Sequence, residues 1–487
     1  MLLLVFMEKF FRVKLSGGKT ETFGEAQASL GNKSCNVFAE WNWNGETLTL
    51  TNDRYGYYPV YYFCAGGEFA VSSSIRKLLE FVGDIKLDEN AFALFLRLGS
   101  LIGEDTIFSS IRAVPPGSVL TWKNGDLKID SKGIIETKPI RISRREAMET
   151  YAELFQKAIE KTAPTAEKFI VPLSGGRDSR HISFALCKAN RRPSACVTIL
   201  HPPPRANEDA RIARQVCEAL NLEHILLEQK RPRFAAETDK NRRFGFTVYE
   251  HAWFLAMADF IDENPHAVYD GIAGDVLSAG HFLTEKRLKL FQQGKFEELA
   301  DDILEVEGYL PKLLSKDLYR TYSREKAVNH FIKELTRHAG QPNPVGSLFF
   351  WNRTRRCIAP GPFLLLGDST NVIMPYLETD VFDFLAALPV EIFLDHRFHT
   401  ETIAFAFPEY AQIPYEEKTA PLVFDTSYFR AFSRDIFRYS ITKRNRKMAN
   451  RMFFLSRYLR SVVDKNYSRT VADFGEQTIH LLQLERL

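Results

Sequence analysis

Apolar and polar residues alternate along residues 36–63, and this period of two predicts short, half-buried strands. The pair Asn44-Gly45 separates two such runs and Gly66-Gly67 follows them, and both pairs are typical of hairpin turns. In residues 89–98 the apolar positions recur with a helical period instead. Pro115-Pro116-Gly117 predicts a turn before a further strand. Residues 1–130 are therefore predicted to form a small β-rich domain with a few helices.

The pattern changes after residue 143, where a charged helix is predicted over residues 143–162. Strands and helices then alternate, at 169–171, 179–190, 195–200, 207–220 and about 267–270. Alternation of this kind predicts βαβ units and a parallel sheet covered by helices. Residues 285–340 have a mostly helical pattern, and the tail after residue 430 predicts basic, aromatic-rich helices.

The chain has 487 residues, of which 45% are hydrophobic and 26% are charged, and its net charge is +3. These values indicate a soluble globular protein of two or three domains and exclude disordered, collagen-like and disulfide-framework chains. The six cysteines form no CxxC pair and have no zinc spacing, which favours reduced thiols and a cytoplasmic location. No apolar run approaches 18 residues, so no transmembrane helix is expected.

A glycine-rich loop follows the predicted strand at 169–171, and it reads Leu173-Ser174-Gly175-Gly176-Arg177-Asp178-Ser179. Its glycines allow the backbone to approach an anion, the N–H groups at the helix start point toward that anion, and the serine hydroxyls add donors. Asp178 would repel a phosphate but suits a Mg²⁺ ion that bridges phosphates. The loop is neither a Walker loop nor GxGxxG, and the alternative is a turn that only begins a helix.

The SGGRDS sequence of this loop resembles the ATP pyrophosphatases, which cleave ATP between its α and β phosphates. Further segments resemble the asparagine synthetase family in the same order: DRYGYYPVYY at 53–62, GIAGDVLSAG at 271–280, MPYL at 374–377 and FLAALP at 384–389. The resemblance covers roughly residues 36–130 and 143–425.

This resemblance implies an α/β fold for residues 143–428, a doubly wound parallel-sheet ATP-pyrophosphatase domain of the adenine nucleotide alpha hydrolase type with helical additions. Residues 1–130 would be a small α+β domain, a degenerate glutamine amidotransferase-like remnant of the Ntn-hydrolase type. Residues 429–487 would form a basic, aromatic, helical C-terminal extension.

Members of the family use ATP and Mg²⁺ to convert a carboxylate into an acyl-adenylate, and an amine then attacks to give an amide. By position, the resemblance assigns pyrophosphate binding to Ser174, Gly175, Gly176 and Ser179, Mg²⁺ binding to Asp178 and Asp275, and the nucleotide pocket to Leu173, Thr198 and Gly271. Both acids follow predicted parallel strands, so we expect them to meet at the carboxyl edge of one sheet.

Lys418 resembles the late lysine of the family, which neutralises charge as the adenylate forms or collapses. Two acidic neighbours, Glu416 and Glu417, equally fit a solvated loop. Asp275 could likewise cap a helix rather than bind a metal.

Two departures from the family pattern change the expected function. The glutaminase half of the family begins with a nucleophilic cysteine at residue 2, whereas this chain has Leu2, its first cysteine is Cys35, and the domain looks several strands short. The acid of the G-[DE]-G motif is replaced by Ile272, which removes a polar contact and a general base. We therefore expect an AMP-forming amide ligase without its own glutaminase activity, and aspartate is disfavoured as its substrate.

The expected substrates are a small-molecule or peptide carboxylate and an amine. The amine is either ammonia, which is free or supplied by a separate glutaminase, or the amino group of another molecule. An ammonia-dependent asparagine synthetase and a non-catalytic nucleotide-binding scaffold are the alternatives. Arg355 and Arg356 either bind triphosphate or an acidic substrate or lie on a solvated helix face. Tyr249 and His251 either face the acceptor pocket or belong to the core.

The tail is strongly basic, since residues 430–470 carry twelve Lys and Arg residues against Asp435 and Asp464. It either docks as a terminal helix with a solvated basic face or contacts an anionic surface. No nucleic-acid reader motif is present, so no nucleic acid partner is expected, and a homodimer is left open.

Overall fold

The computed structural model describes residues 8–162, 168–264, 267–304, 306–367, 370–416, 422–442 and 447–487. Within these residues, two antiparallel five-stranded sheets lie before residue 132 and one parallel five-stranded sheet lies after it. No described helix is long and apolar enough to cross a membrane.

The first ten strands are β1 (Phe10–Ser16), β2 (Lys19–Gly24), β3 (Gln27–Asn32), β4 (Val37–Trp43), β5 (Thr47–Asn52), β6 (Tyr61–Ala65), β7 (Glu68–Ser72), β8 (Ile111–Ala113), β9 (Ser118–Lys123) and β10 (Asp126–Ser131). They form two sheets in the orders β2-β1-β7-β6-β8 and β10-β9-β5-β4-β3. Helices α1 (Ile75–Leu79) and α2 (Glu89–Leu98) lie between β7 and β8 of the first sheet. The rings of Phe11 in one sheet and Trp43 in the other lie 6.0 Å apart, so the two sheets share a core.

The hairpin turns at Asn44-Gly45 and Gly66-Gly67 and the helix at 89–98 lie where the sequence predicts them. Strands β1, β2 and β3 were not recognised in the sequence, and the domain therefore has more strands than the pattern indicated. The reason is visible in β2, where all six residues are exposed, so no alternation of apolar and polar residues marks the strand.

The parallel sheet contains β11 (Phe169–Pro172), β12 (Ala195–Leu200), β13 (His224–Glu228), β14 (Ala267–Tyr269) and β15 (Val372–Ile373) in the order β13-β12-β11-β14-β15. The chain moves from β11 outward to β12 and β13, and β14 then returns to the other side of β11. This reversal is the doubly wound topology, whose ligand sites lie outside the carboxyl ends of the strands at the switch point. The strand predicted at 195–200 is confirmed residue for residue.

The helices around this sheet are α3 (Arg144–Lys161), α4 (Asp178–Lys188), α5 (Glu208–Leu220), α6 (Arg233–Arg243), α7 (Leu255–Glu263) and α8 (Gly274–Ser278). Helical additions follow as α9 (Glu285–Gln292), α10 (Phe296–Leu304), α11 (Leu310–Leu313), α12 (Lys316–Thr321), α13 (Arg324–His338), α14 (Pro344–Phe349), α15 (Pro360–Leu366), α16 (Thr379–Ala387) and α17 (Phe398–Ala406). A π-helical segment, Phe350–Ile358, connects α14 to α15.

The C-terminal region forms α18 (Thr426–Ser440), α19 (Arg451–Val463) and α20 (Gly475–Leu484). Helix α20 is almost wholly buried and packs on α6, where Asn241 Nδ2 donates to Gln483 Oε1 at 2.7 Å. Glu485 accepts hydrogen bonds from the backbone N–H groups of Met448 and Ala449. The tail is thus packed onto the parallel-sheet domain, because its last helix supplies part of that domain's core.

Candidate active site

The glycine-rich loop lies between the end of β11 and the start of α4, so its backbone emerges at the carboxyl edge of the parallel sheet. Ser179 Oγ accepts a hydrogen bond of 3.1 Å from Ser174 N–H, and Ser174 Oγ accepts one of the same length from Gly176 N–H. These bonds curl the loop over the first turn of α4, where helix N–H groups favour an anion. Ser174 is exposed at the rim of this cradle.

Asp178 begins α4 and Asp275 lies in the first turn of α8, and the structure brings them together as the sheet topology predicts. The backbone N–H of Asp275 donates a 3.0 Å hydrogen bond to Asp178 Oδ2. Two glycines permit this approach: a Cβ at Gly274 would lie 2.5 Å from Asp178 Cγ, and one at Gly271 would lie 2.9 Å from Asp178 Cβ. The Asp178 side chain is 22% exposed, although its Oδ1 atom is buried, and Asp275 is half-buried.

A buried group of polar aromatic side chains, which was not predicted from the sequence, lies behind Asp178. His399 Nδ1 lies 3.4 Å from Asp178 Oδ1, and His399 Nε2 lies 3.2 Å from His181 Nδ1. Tyr376 donates to the Asp178 carbonyl, and its hydroxyl also lies 3.4 Å from His399 Nε2. His181 directly follows the glycine-rich loop on the buried face of α4, which is the one sequence signal for this group.

Burial controls the protonation of these groups. Burial and then the negative charge of Asp275 raise the pKa of Asp178 well above its usual value. Burial lowers the pKa of His399 well below its usual value and that of His181 to about 3. A cation at the two acids would oppose the first effect, since a positive charge favours the ionised carboxylate.

Asp270, the residue after β14, is a further acid at this site that was not predicted from the sequence. Its Oδ1 accepts a hydrogen bond of 3.0 Å from the backbone N–H of Ile272, and burial raises its pKa to about 6. The negative charge of Asp270 contributes to the raised pKa of Asp178. An acid is therefore present beside the position at which Ile272 replaces one.

The N–H of Gly175 in the loop donates to Asp209 Oδ1 on α5 at 2.7 Å. A loop amide that a phosphate would use thus binds a carboxylate oxygen. The carbonyl of Gly175 accepts from the backbone N–H of Glu416 at 3.1 Å. Lys418 lies outside the described residues, and Glu416 is the last described residue before it.

Arg180 on α4 fixes the segment that leads to Glu416. Its guanidinium is buried, donates to the carbonyls of Ile413 and Pro414, and lies 3.9 Å from the centre of the Tyr415 ring. Arg180 was not predicted as a site residue, because a charged residue after a glycine-rich loop is usually exposed to solvent.

Thr198 and Leu173 of the expected nucleotide pocket are neighbours, but Thr198 does not offer its hydroxyl to a ligand. Thr198 Oγ1 donates to the Leu173 carbonyl at 2.7 Å and lies 2.8 Å from His224 Nε2. Both residues are buried, so they hold the strand end and the loop together.

Arg355 and Arg356 do not lie on a solvated helix face, which corrects one of the two roles expected from the sequence. Both side chains are buried and donate to backbone carbonyls of the N-terminal domain. Arg355 contacts the carbonyls of Gly56, Gly103 and Val114, and Arg356 contacts those of Gly103 and Asp105. Through these hydrogen bonds the two arginines connect the N-terminal domain to the part of the chain that follows it.

For Tyr249 and His251 the sequence allowed either a place in the acceptor pocket or a place in the core. Both line a cavity of about 410 Å³ beyond the ends of β12 and β13. Trp253, Arg205 and Arg353 lie on its wall. Both residues are also largely buried, and within the described residues the Tyr249 hydroxyl has no hydrogen-bond partner. His251 adopts a φ of +83°, a strained backbone conformation for a non-glycine residue.

Known protein families match the chain in two separate segments. A glutamine amidotransferase domain model matches residues 21–132, and an asparagine synthase model matches residues 150–343. Asparagine synthetase [glutamine-hydrolyzing] 1 of Bacillus subtilis is 22% identical over 191 residues, which are 39% of this chain and 30% of that protein. Asparagine synthetase [glutamine-hydrolyzing] 3 of the same organism is 28% identical over 150 residues, or 30% of this chain and 24% of that one.

These matches span less than a third of the length of either relative. Among solved structures, an NMN synthetase from Francisella tularensis aligns with 43% of this chain and 93% of its own, at 16% identity and a TM-score of 0.22.

Proposed function

We propose that this chain, which is similar to asparagine synthetases in both of its matched segments, is an ATP-dependent, AMP-forming amide ligase. In the first step a carboxylate oxygen of the substrate attacks the α-phosphorus of ATP, the bond to the β-phosphate breaks, and pyrophosphate leaves. In the second step an amine nitrogen attacks the acyl carbon and loses a proton, the bond to AMP breaks, and an amide forms.

The observation that carries the proposal is the meeting of Asp178 and Asp275 beside the glycine-rich loop. Their carboxylate oxygens are the ligands that Mg²⁺ prefers, and Asp178 Oδ1 has no hydrogen-bond partner among the described residues. The two acids therefore fit the metal that the family uses. When bound, Mg²⁺ neutralises charge on the phosphates and favours departure of pyrophosphate.

The loop supplies the remaining phosphate contacts in this proposal. Ser174, Gly175, Gly176 and Ser179 donate to the pyrophosphate. For this the N–H of Gly175 must exchange Asp209, and that of Gly176 the Ser174 hydroxyl, for a phosphate oxygen. Leu173 and Gly271 line the AMP side. Lys418 neutralises developing charge on the basis of its family position alone.

The amine is proposed to be ammonia or the amine of another molecule, because the N-terminal domain lacks an activated thiol. The two cysteines in its described part are Cys35, which is buried, and Cys64, which is half-buried and has its pKa raised by burial. A nucleophilic cysteine needs the opposite shift, toward the thiolate. A separate glutaminase can supply the ammonia.

Asp270 is the residue to which we assign acceptance of the proton from the attacking amine. It lies next to Gly271 at the strand end, and the neighbouring Ile272 cannot act as a base. A pKa of about 6 leaves it ionised at neutral pH, as a general base requires. The cavity at Tyr249 and His251 is the proposed site of a carboxylate or amine larger than those of asparagine synthesis.

ATP–pyrophosphate exchange, screened over small-molecule and peptide carboxylates, tests the proposal. Exchange with one class of acid, abolished in Asp178→Ala and retained in Asp317→Ala, is expected; Asp317 is an exposed acid remote in sequence from the site. Release of ADP and phosphate would contradict the proposal. ATP binding with no exchange for any acid would favour a scaffold, and exchange with aspartate would indicate an asparagine synthetase. Glutamate release from glutamine would contradict the assigned loss of glutaminase activity.

A further inference from the structure

Helix α19 presents a stripe of large apolar side chains to solvent. Met452 is 70% exposed, Leu459 is 55% exposed and Val463 is 87% exposed. Spacings of seven and four residues place all three on one helix face, and Leu455 lies beside them. The other side of the helix buries Phe453 and Phe454. The stripe is therefore unpartnered within the described chain although the helix is already docked.

Positive charge flanks this stripe. At 100° per residue, Arg451 and Arg460 lie on opposite sides of the apolar face. Lys465 and Arg469 are exposed in the segment that follows. The described residues of the tail thus combine an apolar face with basic borders, which is the pattern of helices that lie in a membrane interface.

The helix is held in place by the rest of the molecule. Asn450 caps its start through a hydrogen bond from Phe453 N–H, and Glu485 binds the N–H groups of Met448 and Ala449 just before it. Tyr458 stacks on Phe437 of α18 with ring centres 4.8 Å apart. A preformed helix loses little conformational entropy when its apolar face is covered.

We propose that α19 docks this protein on an anionic lipid surface, with Met452, Leu459 and Val463 inserted at the acyl boundary and the flanking arginines on the headgroups. A second copy of the chain would cover the stripe but would bring the basic borders of two tails close to each other. A nucleic acid would satisfy the arginines and leave the stripe exposed. An anionic bilayer binds both the arginines and the apolar stripe. This inference is independent of the proposed ligase activity.

Sedimentation of the full chain with vesicles of phosphatidylcholine, with and without phosphatidylglycerol, tests this assignment. Binding should require phosphatidylglycerol and weaken as salt is raised. The triple variant Met452→Ser, Leu459→Ser, Val463→Ser should lose about a hundredfold or more in affinity, since three apolar side chains no longer insert. Arg460→Gln with Lys465→Gln should bind more weakly and with a flatter salt dependence.

Val119→Ser is the matched control, because Val119 is 42% exposed and lies on β9 of the N-terminal domain. It should bind like the unchanged protein. Circular dichroism should show every variant folded, and the single change Val463→Ser provides a milder version of the test. Absence of binding at low salt, or equal binding by the triple variant, would overturn the proposal. A dimer in sedimentation velocity that the triple variant dissolves would assign the stripe to a second copy instead.

Discussion

The backbone N–H of Asp275 donates a hydrogen bond of 3.0 Å to Oδ2 of Asp178, across 97 residues of sequence. This bond joins the starts of two helices that follow neighbouring parallel strands. Because the donor is a backbone group, the bond persists when the Asp275 side chain is changed. The metal-binding role of that side chain can therefore be separated from its part in the local structure.

Asp275→Asn should remove divalent cation binding and leave the fold unchanged. The amide lacks the negative charge of one proposed ligand, so affinity for Mn²⁺, used as a paramagnetic probe, should fall by more than the roughly 10–100-fold typical of outer-shell changes. Electron paramagnetic resonance of free Mn²⁺ measures the loss. Unchanged Mn²⁺ affinity with unchanged stability would show that the Asp275 side chain is not a metal ligand.

Gly274→Ala should damage the same site through sterics alone. The added Cβ would lie 2.5 Å from Cγ and 2.7 Å from Oδ1 of Asp178, so the carboxylate must move. We expect a loss of about 1–3 kcal/mol in the free energy of unfolding together with lost Mn²⁺ binding. Gly361→Ala is the control, because a Cβ there meets nothing within 4 Å. Normal Mn²⁺ binding by Gly274→Ala would show that Asp178 acts from another position.

Asp209→Asn should strengthen pyrophosphate binding. The Asp209 carboxylate accepts the Gly175 N–H at 2.7 Å and repels an incoming phosphate, whereas the amide removes the charge and keeps the shape. Removing one like charge near the ligand should improve the dissociation constant by about tenfold at low salt, which isothermal titration calorimetry measures. Weaker binding would instead show that the carboxylate orients the loop for its ligand.

Asp270→Asn should slow amide formation and spare adenylation. Burial raises the pKa of Asp270 to about 6, and a base must be ionised, so the rate of amide formation should rise with pH through about 6 and level off above it. The variant should lose this rise and about 10²–10⁴-fold in rate, while ATP–pyrophosphate exchange continues. Equal loss of both activities would assign Asp270 to the metal or nucleotide instead.

Arg355→Met should weaken the connection between the two halves of the chain. The buried guanidinium donates to three carbonyls of the N-terminal domain, and methionine fills similar volume without satisfying them. We expect the free energy of unfolding to fall by about 1–3 kcal/mol in urea titration, the cost of a buried carbonyl left without a donor. Arg353→Met, at a half-exposed arginine paired with Glu250, should change it by less than about 1 kcal/mol. Equal effects would show that Arg355 contributes no more than a surface ion pair.

Local elements and the phosphate loop could be predicted from the sequence. The helix at 89–98, the strand at 195–200 and the turns at Asn44-Gly45 and Gly66-Gly67 depend on periodicity and turn residues a few positions apart. The meeting of Asp178 and Asp275 followed from strand order, because parallel strands share a carboxyl edge. The exposed strand β2 and the two-residue strand β15 carry too little pattern to be recognised.

Only the tertiary structure decided which polar residues face one another. It turned Arg355 and Arg356 from candidate ligands into buried donors for a neighbouring domain, and it placed His399 against Asp178 across 221 positions of the chain. It also paired the N–H of Gly175 in the loop with the Asp209 carboxylate and left an apolar stripe of α19 exposed. The pattern of apolar and polar residues indicates which positions are buried. The partner of a buried charge, in contrast, is set by the packing of elements that are distant in sequence.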